Sequence, residues 1–418
     1  MPASDPELAA ALNQRCDCIT VDDLRLDEAL RREAEGLGSK ELIATHPHLF
    51  SRCAVFVDAD TSAAMQGLVA AVERVVALPA YVERALADAH PHARVETPCR
   101  GVFTGFDFHL GTQGPRLIEI NTNAGGGLLN SVLRRAQRAC CEPVANALGV
   151  HGATEDLFAM FRDEWQLARG DRPLRAVAIV DDDPEQQYLY PEFVLFRALI
   201  AARGISAVIC DARSLEIANG SLCHQGEPID LVYNRLTDFA LDQPEHAALA
   251  EAFRRDLAVV TPHPRAYALY ADKRRLALLS DAAALRALGV PEPDIEILTR
   301  HVPRTQIVRP ELRDQLWHDR KQLFFKPQSG YGGKAAYRGD SITRRVFEHV
   351  MTQPYVAQEL VPPSVRTLHV GAEPRELKVD IRNYTYAGRT QLLCARLYHG
   401  QTTNFRSEGG GFAPVYVV

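Results

Sequence analysis

Residues 326–334 read Lys-Pro-Gln-Ser-Gly-Tyr-Gly-Gly-Lys, and the apolar run 323–325 leads into them. A strand that ends on a lysine and opens into clustered glycines is suited to holding phosphate oxygens. Glycine lets backbone N–H groups approach closely, and the lysine supplies a positive charge. The order does not match the G-x-x-x-x-G-K-[ST] loop of P-loop NTPases, which speaks against that class. The plain alternative is a hairpin turn that uses glycines for positive φ.

A second feature lies far upstream. From Gly101 the apolar period becomes two. Val102, Thr104, Phe106, Phe108 and Leu110 fall on one side of a strand, with Asp107 and His109 on the other. After a turn at 111–115 comes Arg116-Leu-Ile-Glu-Ile-Asn-Thr-Asn123, with Ile118 and Ile120 facing one way and Glu119, Asn121 and Asn123 the other. Two carboxylates and an amide on one polar hairpin face, Asp107, Glu119 and Asn121, are hard oxygen donors of the kind Mg2+ takes alongside nucleotide phosphates. A solvated sheet face is the alternative, and His109 on the same face reads as a supporting or structural histidine.

With 418 residues the chain requires two or three structural units. Residues 1–95 read as mostly helical. Residues 96–170 carry the acidic hairpin and further helix over 128–168. Residues 171–262 alternate strand and helix (175–180, 193–203, 206–210, 231–234), the pattern of a small parallel α/β unit. Residues 263–418 hold a helix at 273–288 and strands at 323–326, 356–359, 377–382 and 392–397. The segment after Val180, Asp-Asp-Asp-Pro-Glu-Gln-Gln, lacks the glycines of a dinucleotide site. A net charge of −6 argues against a nucleic acid or an anionic membrane as partner. Nine cysteines without a C-x-x-C suggest neither a zinc ribbon nor a redox pair, and the odd count favours reduced thiols. No basic, apolar leader opens the sequence and no run is long enough to cross a bilayer, so a cytoplasmic location is expected.

Glu119-Ile-Asn-Thr with glycines at 125–127, after Asp107 and well before the Lys326 loop, resembles the eukaryotic-type glutathione synthetases. It is also similar to the glutathionylspermidine synthetases. Both are circularly permuted ATP-grasp ligases, so the resemblance implies an α/β, circularly permuted ATP-grasp fold with a small parallel α/β substrate domain. Further segments carry it. Ala271-Asp-Lys273 after Thr261-Pro-His-Pro is similar to the first ATP-binding lysine, and Lys326 to the second. The segment 356–361 resembles the strand holding adenine and ribose, and 231–235 the strand that places a substrate-contacting arginine. Arg396, Asn404, Arg406 and the glycines 409–411 are similar to the closing arginine and lid. Departures stand at Gly105, where the families have an arginine that Arg100 is the candidate to replace, and at Gly330, where glutathione synthetases have a metal-binding glutamate. Asp107 is expected to supply that missing carboxylate. Ala124 and Gly126 stand where the glutathione synthetase loop has serines, which points away from glutathione precursors.

The resemblance implies an ADP-forming ligase that joins a small-molecule carboxylate to an amine, each amino-acid- or peptide-like, with ATP and Mg2+. ATP is assigned to Lys273, Lys326, Gln328, Gly330, Tyr331, Gly332, Gly333, Gln358, Glu359, Leu360 and Val361, and the metal to Asp107, Glu119 and Asn121. Arg396, or secondarily Arg382, would stabilise the transferring phosphoryl group. Arg382 has the alternative of pairing within the row Lys378, Asp380, Arg382. Substrate is assigned to Arg100, Asn123, Gly125, Arg235, Asn404 and Arg406; for Arg235 an ion pair with Asp238 is the alternative. The related families often form dimers, so a homodimer is one expectation. An ATP-grasp phosphotransferase and an inactive nucleotide-binding partner protein are the competing functions.

Overall fold

Apolar and polar residues alternate most regularly near the C-terminus, with Leu377, Val379 and Ile381 on one side and Lys378, Asp380 and Arg382 on the other. This alternation builds the strand Glu373–Tyr386, which anchors the seven-stranded sheet at the centre of the molecule. A computed structural model describes the chain apart from residues 1–4, 17–20, 35–37, 39–41, 43, 112, 138–152, 331–332, 334 and 371–372. The sheet order is Val55–Val57, Gly411–Val417, Arg389–Tyr398, Glu373–Tyr386, Thr104–Gly111, Gly114–Asn121. Ser364–Val370 pairs with the first half of Glu373–Tyr386 and the acidic hairpin with the second, so residues widely separated in sequence share one strand.

One face of this sheet is mostly apolar, with Thr104, Asn383 and Thr385 as buried polar exceptions. Phe106, Phe108, Leu117, Ile120, Val379, Ile381, Leu397 and Val415 pack against the helix Ala59–Val76, which starts where Asp58 accepts the N–H of Thr61 at 2.8 Å. The other face is divided. Tyr384, Cys394 and Phe412 join the core beneath the helices Gly127–Arg135, Ala153–Arg169 and Tyr190–Ala201. Asp107, Asp380, Arg382 and Arg396 form its charged part.

The parallel sheet runs Val259–Thr261, Leu231–Asn234, Ala176–Asp181, Ser206–Asp211, with helical crossovers Tyr190–Ala201 and Ala247–Arg254. Its middle strand is buried on both sides, Val177 and Ile179 in one core and Ala178 and Val180 in another. A third sheet, Thr305–Ile307, Tyr355–Glu359, Leu323–Pro327, Tyr337–Arg338, is antiparallel and carries the lysine–glycine loop.

Several readings change. The helix expected over 273–288 is two shorter ones, Arg274–Leu279 and Ala282–Ala287, preceded by a π turn at Tyr267–Ala271. Asp281 breaks it by capping the N–H groups of Ala283 and Ala284. The strands Val55–Val57, Ser364–Val370 and Gly411–Val417 and a three-stranded meander at 215–228 lie outside the predicted elements. No single described helix is long and apolar enough to cross a membrane.

Candidate active site

The acidic hairpin does not keep a simple two-residue period. Asp107 lies opposite Glu119, but Phe108 lies opposite Leu117, so Ile118 is the extra residue of a bulge. Leu117 therefore fills the core position expected for Ile118, while Ile118, Glu119 and Asn121 all line a cavity of about 1070 Å3. The bulge also aims the Ile118 carbonyl at Lys326, whose ammonium donates to it at 2.8 Å and to Gln358 Oε1 at 2.9 Å.

Lys273 reaches the same place from another element. The π turn shifts the chain just before it, and its own N–H donates to the Gln328 carbonyl. Its ammonium lies 2.9 Å from Glu119 Oε1 and 3.1 Å from the Gly330 carbonyl. Burial alone would raise the Glu119 carboxyl, but Lys273 and Lys326 together hold it below the usual value. Burial pushes the Lys326 ammonium down to about 8, with Glu119 opposing. Two lysines and a carboxylate from three distant segments thus face one cavity.

The cavity wall is strongly cationic. Lys273, Lys326, Arg338, Lys378, Arg382, Arg396 and Arg406 line it, against the carboxylates Glu119 and Glu359. Such an excess suits a polyanion. Its apolar end is made by Ile118, Phe324, Leu360, Val361 and Val365, where His109 holds the Val361 carbonyl at 2.7 Å. Glu359 is bound by Arg116 at 2.8 Å, a second tie between the hairpin and the third sheet. Gly330 and Gly333 lie in the wall, and a Cβ on Gly333 would stand 2.9 Å from that of Thr402, so the glycine loop touches the segment 400–406. Asn404 lines the cavity but spends its amide on the His399 and Thr402 carbonyls, which folds that segment.

Other predicted residues lie elsewhere. Arg100 opens onto a separate cleft of about 200 Å3 beside Glu73 and Tyr270 and does not replace a side chain at Gly105. Arg235 is buried behind the wall, bound to the Asn123 side chain and, at 3.3 Å, to the Tyr233 hydroxyl; Asp238 pairs with His246 instead. Asn123 is thereby occupied, and Gly125 is enclosed, since a Cβ there would lie 2.4 Å from Leu189 Cδ1. Gln328 contributes its carbonyl to Lys273 and turns its amide toward the Tyr355 carbonyl. Tyr331 and Gly332 lie outside the described residues. Tyr188, Phe405, Thr402, Thr403 and Tyr398 also line the cavity and were not predicted; Tyr188 and Phe405 pack together 5.3 Å apart.

The expected metal triad also changes. Asp107, 1% exposed, is gripped by Arg382 and Arg396, and the Asn121 amide donates to it at 3.0 Å. Burial would raise its carboxyl, yet the two guanidiniums hold it below the ordinary value. Among the described residues no group of three His, Cys, Asp or Glu side chains is placed to hold a metal. Glu119 and the Asn121 carbonyl oxygen still suit an Mg2+ ion that keeps water and phosphate in its shell. Asp107 does not, because it is buried and two guanidiniums already balance its charge.

No protein-family model matches the sequence, and no curated protein matches it. Among solved structures, a glutathione synthetase-like effector (GSS30) from Globodera pallida, in its apo form, aligns over 96% of this chain and 99% of its own, with a TM-score of 0.50 and 14% identity. The chain has an ATP-grasp fold. At this identity the likeness is one of fold. A protein assigned as a gamma-glutamylcysteine synthetase from Methylobacillus flagellatus covers 83% of this chain and 84% of its own at 10% identity and a TM-score of 0.46. The ATP-grasp ligase PsnB covers 57% and 88% at 16% identity and a TM-score of 0.31.

Proposed function

We propose that the chain is an ATP-dependent carboxylate–amine ligase that forms an amide through an acyl phosphate. The observation that carries this reading is the convergence of Lys273, Lys326 and Glu119 on one cationic cavity. The acid's carboxylate oxygen attacks the γ-phosphorus of ATP and ADP leaves. The amine nitrogen then attacks the acyl carbonyl, phosphate leaves, and the nitrogen loses a proton. Phosphoryl transfer of this kind depends on positioning and charge neutralisation more than on covalent help.

Lys273 and Lys326 neutralise the phosphates in this reading. The slot at Phe324, Gln358 and 359–361 takes the nucleoside. Arg396, with Arg382 beside it, faces the transferring phosphoryl group, and Arg406 with the 400–406 segment borders the acid. Glu119 and Asn121 would hold Mg2+, which supplies further neutralisation of phosphate charge. The order of these segments along the chain is read as a circular permutation.

The test is ADP release against a matrix of acids and amines, with mass analysis of the product. Lys326→Ala should abolish amine-dependent ADP release while the circular dichroism spectrum is kept; unchanged turnover would sink the ligase reading. Phosphorylated acid formed without an amine would make the protein a phosphotransferase. ATP binding without turnover on any pair would make it a nucleotide-binding protein.

A further inference from the structure

A carboxylate offers about four lone-pair positions. Asp107 accepts four bonds, shared unevenly: Arg382 Nε at 2.6 Å on Oδ1, and Arg382 Nη2 at 2.6 Å, Arg396 Nη2 at 2.8 Å and Asn121 Nδ2 at 3.0 Å on Oδ2, so Oδ2 is saturated and Oδ1 keeps one position. Arg396 is gripped from its other side, where Nε donates to Asp380 Oδ1 at 2.7 Å. Asp380 is fully buried and also takes the Thr403 hydroxyl. These contacts follow from sheet register, since Arg382 lies opposite Asp107 and Arg396 opposite Asp380. The result is an alternating row, Arg382, Asp107, Arg396, Asp380, across three neighbouring strands.

Two features give this row a direction. Arg382 and Arg396 line the cavity, whereas Asp107 and Asp380 stand behind them. Gly105 provides the room, because a Cβ there would lie 3.3 Å from both Cδ and Nε of Arg382 and 2.6 Å from the Cβ of Ala124. A Cβ at 105 would force Ala124 to move and crowd the Arg382 stem by a few tenths of an ångström, and a longer side chain would displace that stem further. A cation at the remaining Oδ1 position would enter a buried site beside two guanidiniums that already balance the carboxylate.

We infer that Asp107 is the positioning residue of a two-arginine clamp, made possible by Gly105, and is not a cation ligand. It fixes two planar guanidiniums toward the reacting anions before substrate arrives. The inference rests on the ligase reading only for the chemistry that the arginines serve.

The test uses the full chain and reads Mn2+ as the metal probe. The ratio of ATP dissociation constants with and without Mn2+ is measured for the native chain, Glu119→Gln, Asp107→Asn and Gly105→Ala. Glu119→Gln should lower that ratio about tenfold or more, whereas Asp107→Asn and Gly105→Ala should leave it within about twofold. Both of the latter should lower kcat about a hundredfold with KM for ATP nearly unchanged. Loss of the Mn2+ effect in Asp107→Asn comparable to that in Glu119→Gln would make Asp107 a ligand and overturn the inference. If Asp107→Asn does not fold, Gly105→Ala decides by the same two readouts, and native kcat in it overturns the clamp. A second readout needs no nucleotide: Arg382→Met added to Asp107→Asn should recover part of the lost Tm, because it removes an unpaired cation. Additive losses would refute the clamp. If the native chain binds no ATP, the ligase reading fails and the Tm comparison alone decides.

Discussion

Lys326 is an ammonium withdrawn from water, with the Ile118 carbonyl and the Gln358 side chain as its acceptors and Glu119 as its nearest countercharge. Its folded pKa of about 8 lies below the ordinary lysine value of 10.5. Two consequences follow with opposite signs. ATP affinity, read by calorimetry at pH 7 and pH 9, should fall as pH rises through about 8, because the phosphate-facing charge is lost. Stability responds the other way. Below about 8 both folded and unfolded chains carry the proton, so the folded state bears the full cost of the buried charge. Between about 8 and 10.5 only the unfolded chain still binds it, and the contribution of this residue to stability rises. Lys326→Met should therefore remove ATP binding at pH 7 and abolish its fall between pH 7 and pH 9; retained binding would refute this account of the site. Lys326 was legible beside its glycine turn and Glu119 in its polar strand end, although the bulge at Ile118 was not, and Lys273 only through its resemblance to the first ATP-binding lysine. The clamp was not. Asp107 and Arg382 are 275 residues apart, and no spacing rule states which residues of two distant strands lie opposite each other. Arg235 misled for a related reason: its position at a strand end is functional in form, but Asn123 and Tyr233 enclose it.

At the scale of elements, Arg366 ties the N-terminal helix Pro6–Arg15 to the central sheet. It is 1% exposed and donates to the carbonyls of Ala54 at 3.0 Å and Asn13 at 2.7 Å, and to those of Cys16 and Thr367. Arg366→Met removes every one of these donors from buried carbonyls and should cost about 3 kcal/mol, read from the urea midpoint. The helix Gly127–Arg135 begins at Gly126, whose φ is 97° and whose Cβ would lie 2.2 Å from Phe412 Cζ. Gly126→Ala should destabilise by about 1–3 kcal/mol on the same assay. Elements with strong local signals were legible, such as Leu231–Asn234 and the acidic hairpin. The meander at 215–228 carried a readable signal that went unused: Asn219-Gly220 and Gln225-Gly226 all have positive φ, the chemistry of tight hairpins. Gly411–Val417 was obscured by Pro414, which argues against a central strand. It is tolerated because the neighbour Val55–Val57 pairs only from Val415 onward.

At the scale of the molecule, the central and third sheets are tied together at the cavity. Lys273 to Glu119, Lys326 to Ile118 and Arg116 to Glu359 span that junction, and Thr402 of the 400–406 segment stands against Gly333. A polyanion bound there should lock the two sheets together. Under the ligase reading, ATP at about 100 times its Kd adds about 2.7 kcal/mol to stability. It should also slow amide hydrogen exchange in 323–338 and 400–406 with little change in the parallel sheet. Equal protection everywhere, or none, would contradict closure at this junction.

The pairing of Val55 with Val415, and of Phe50 with Phe412, has a consequence for how the chain can be divided. A segment from early in the sequence and one from late in it are neighbouring threads of one fabric. Neither piece produced by a cut between them could complete the central sheet alone. Mixed together, two such pieces could recover the fold only by finding each other, so the protein is a candidate for reconstitution from fragments that are inert apart.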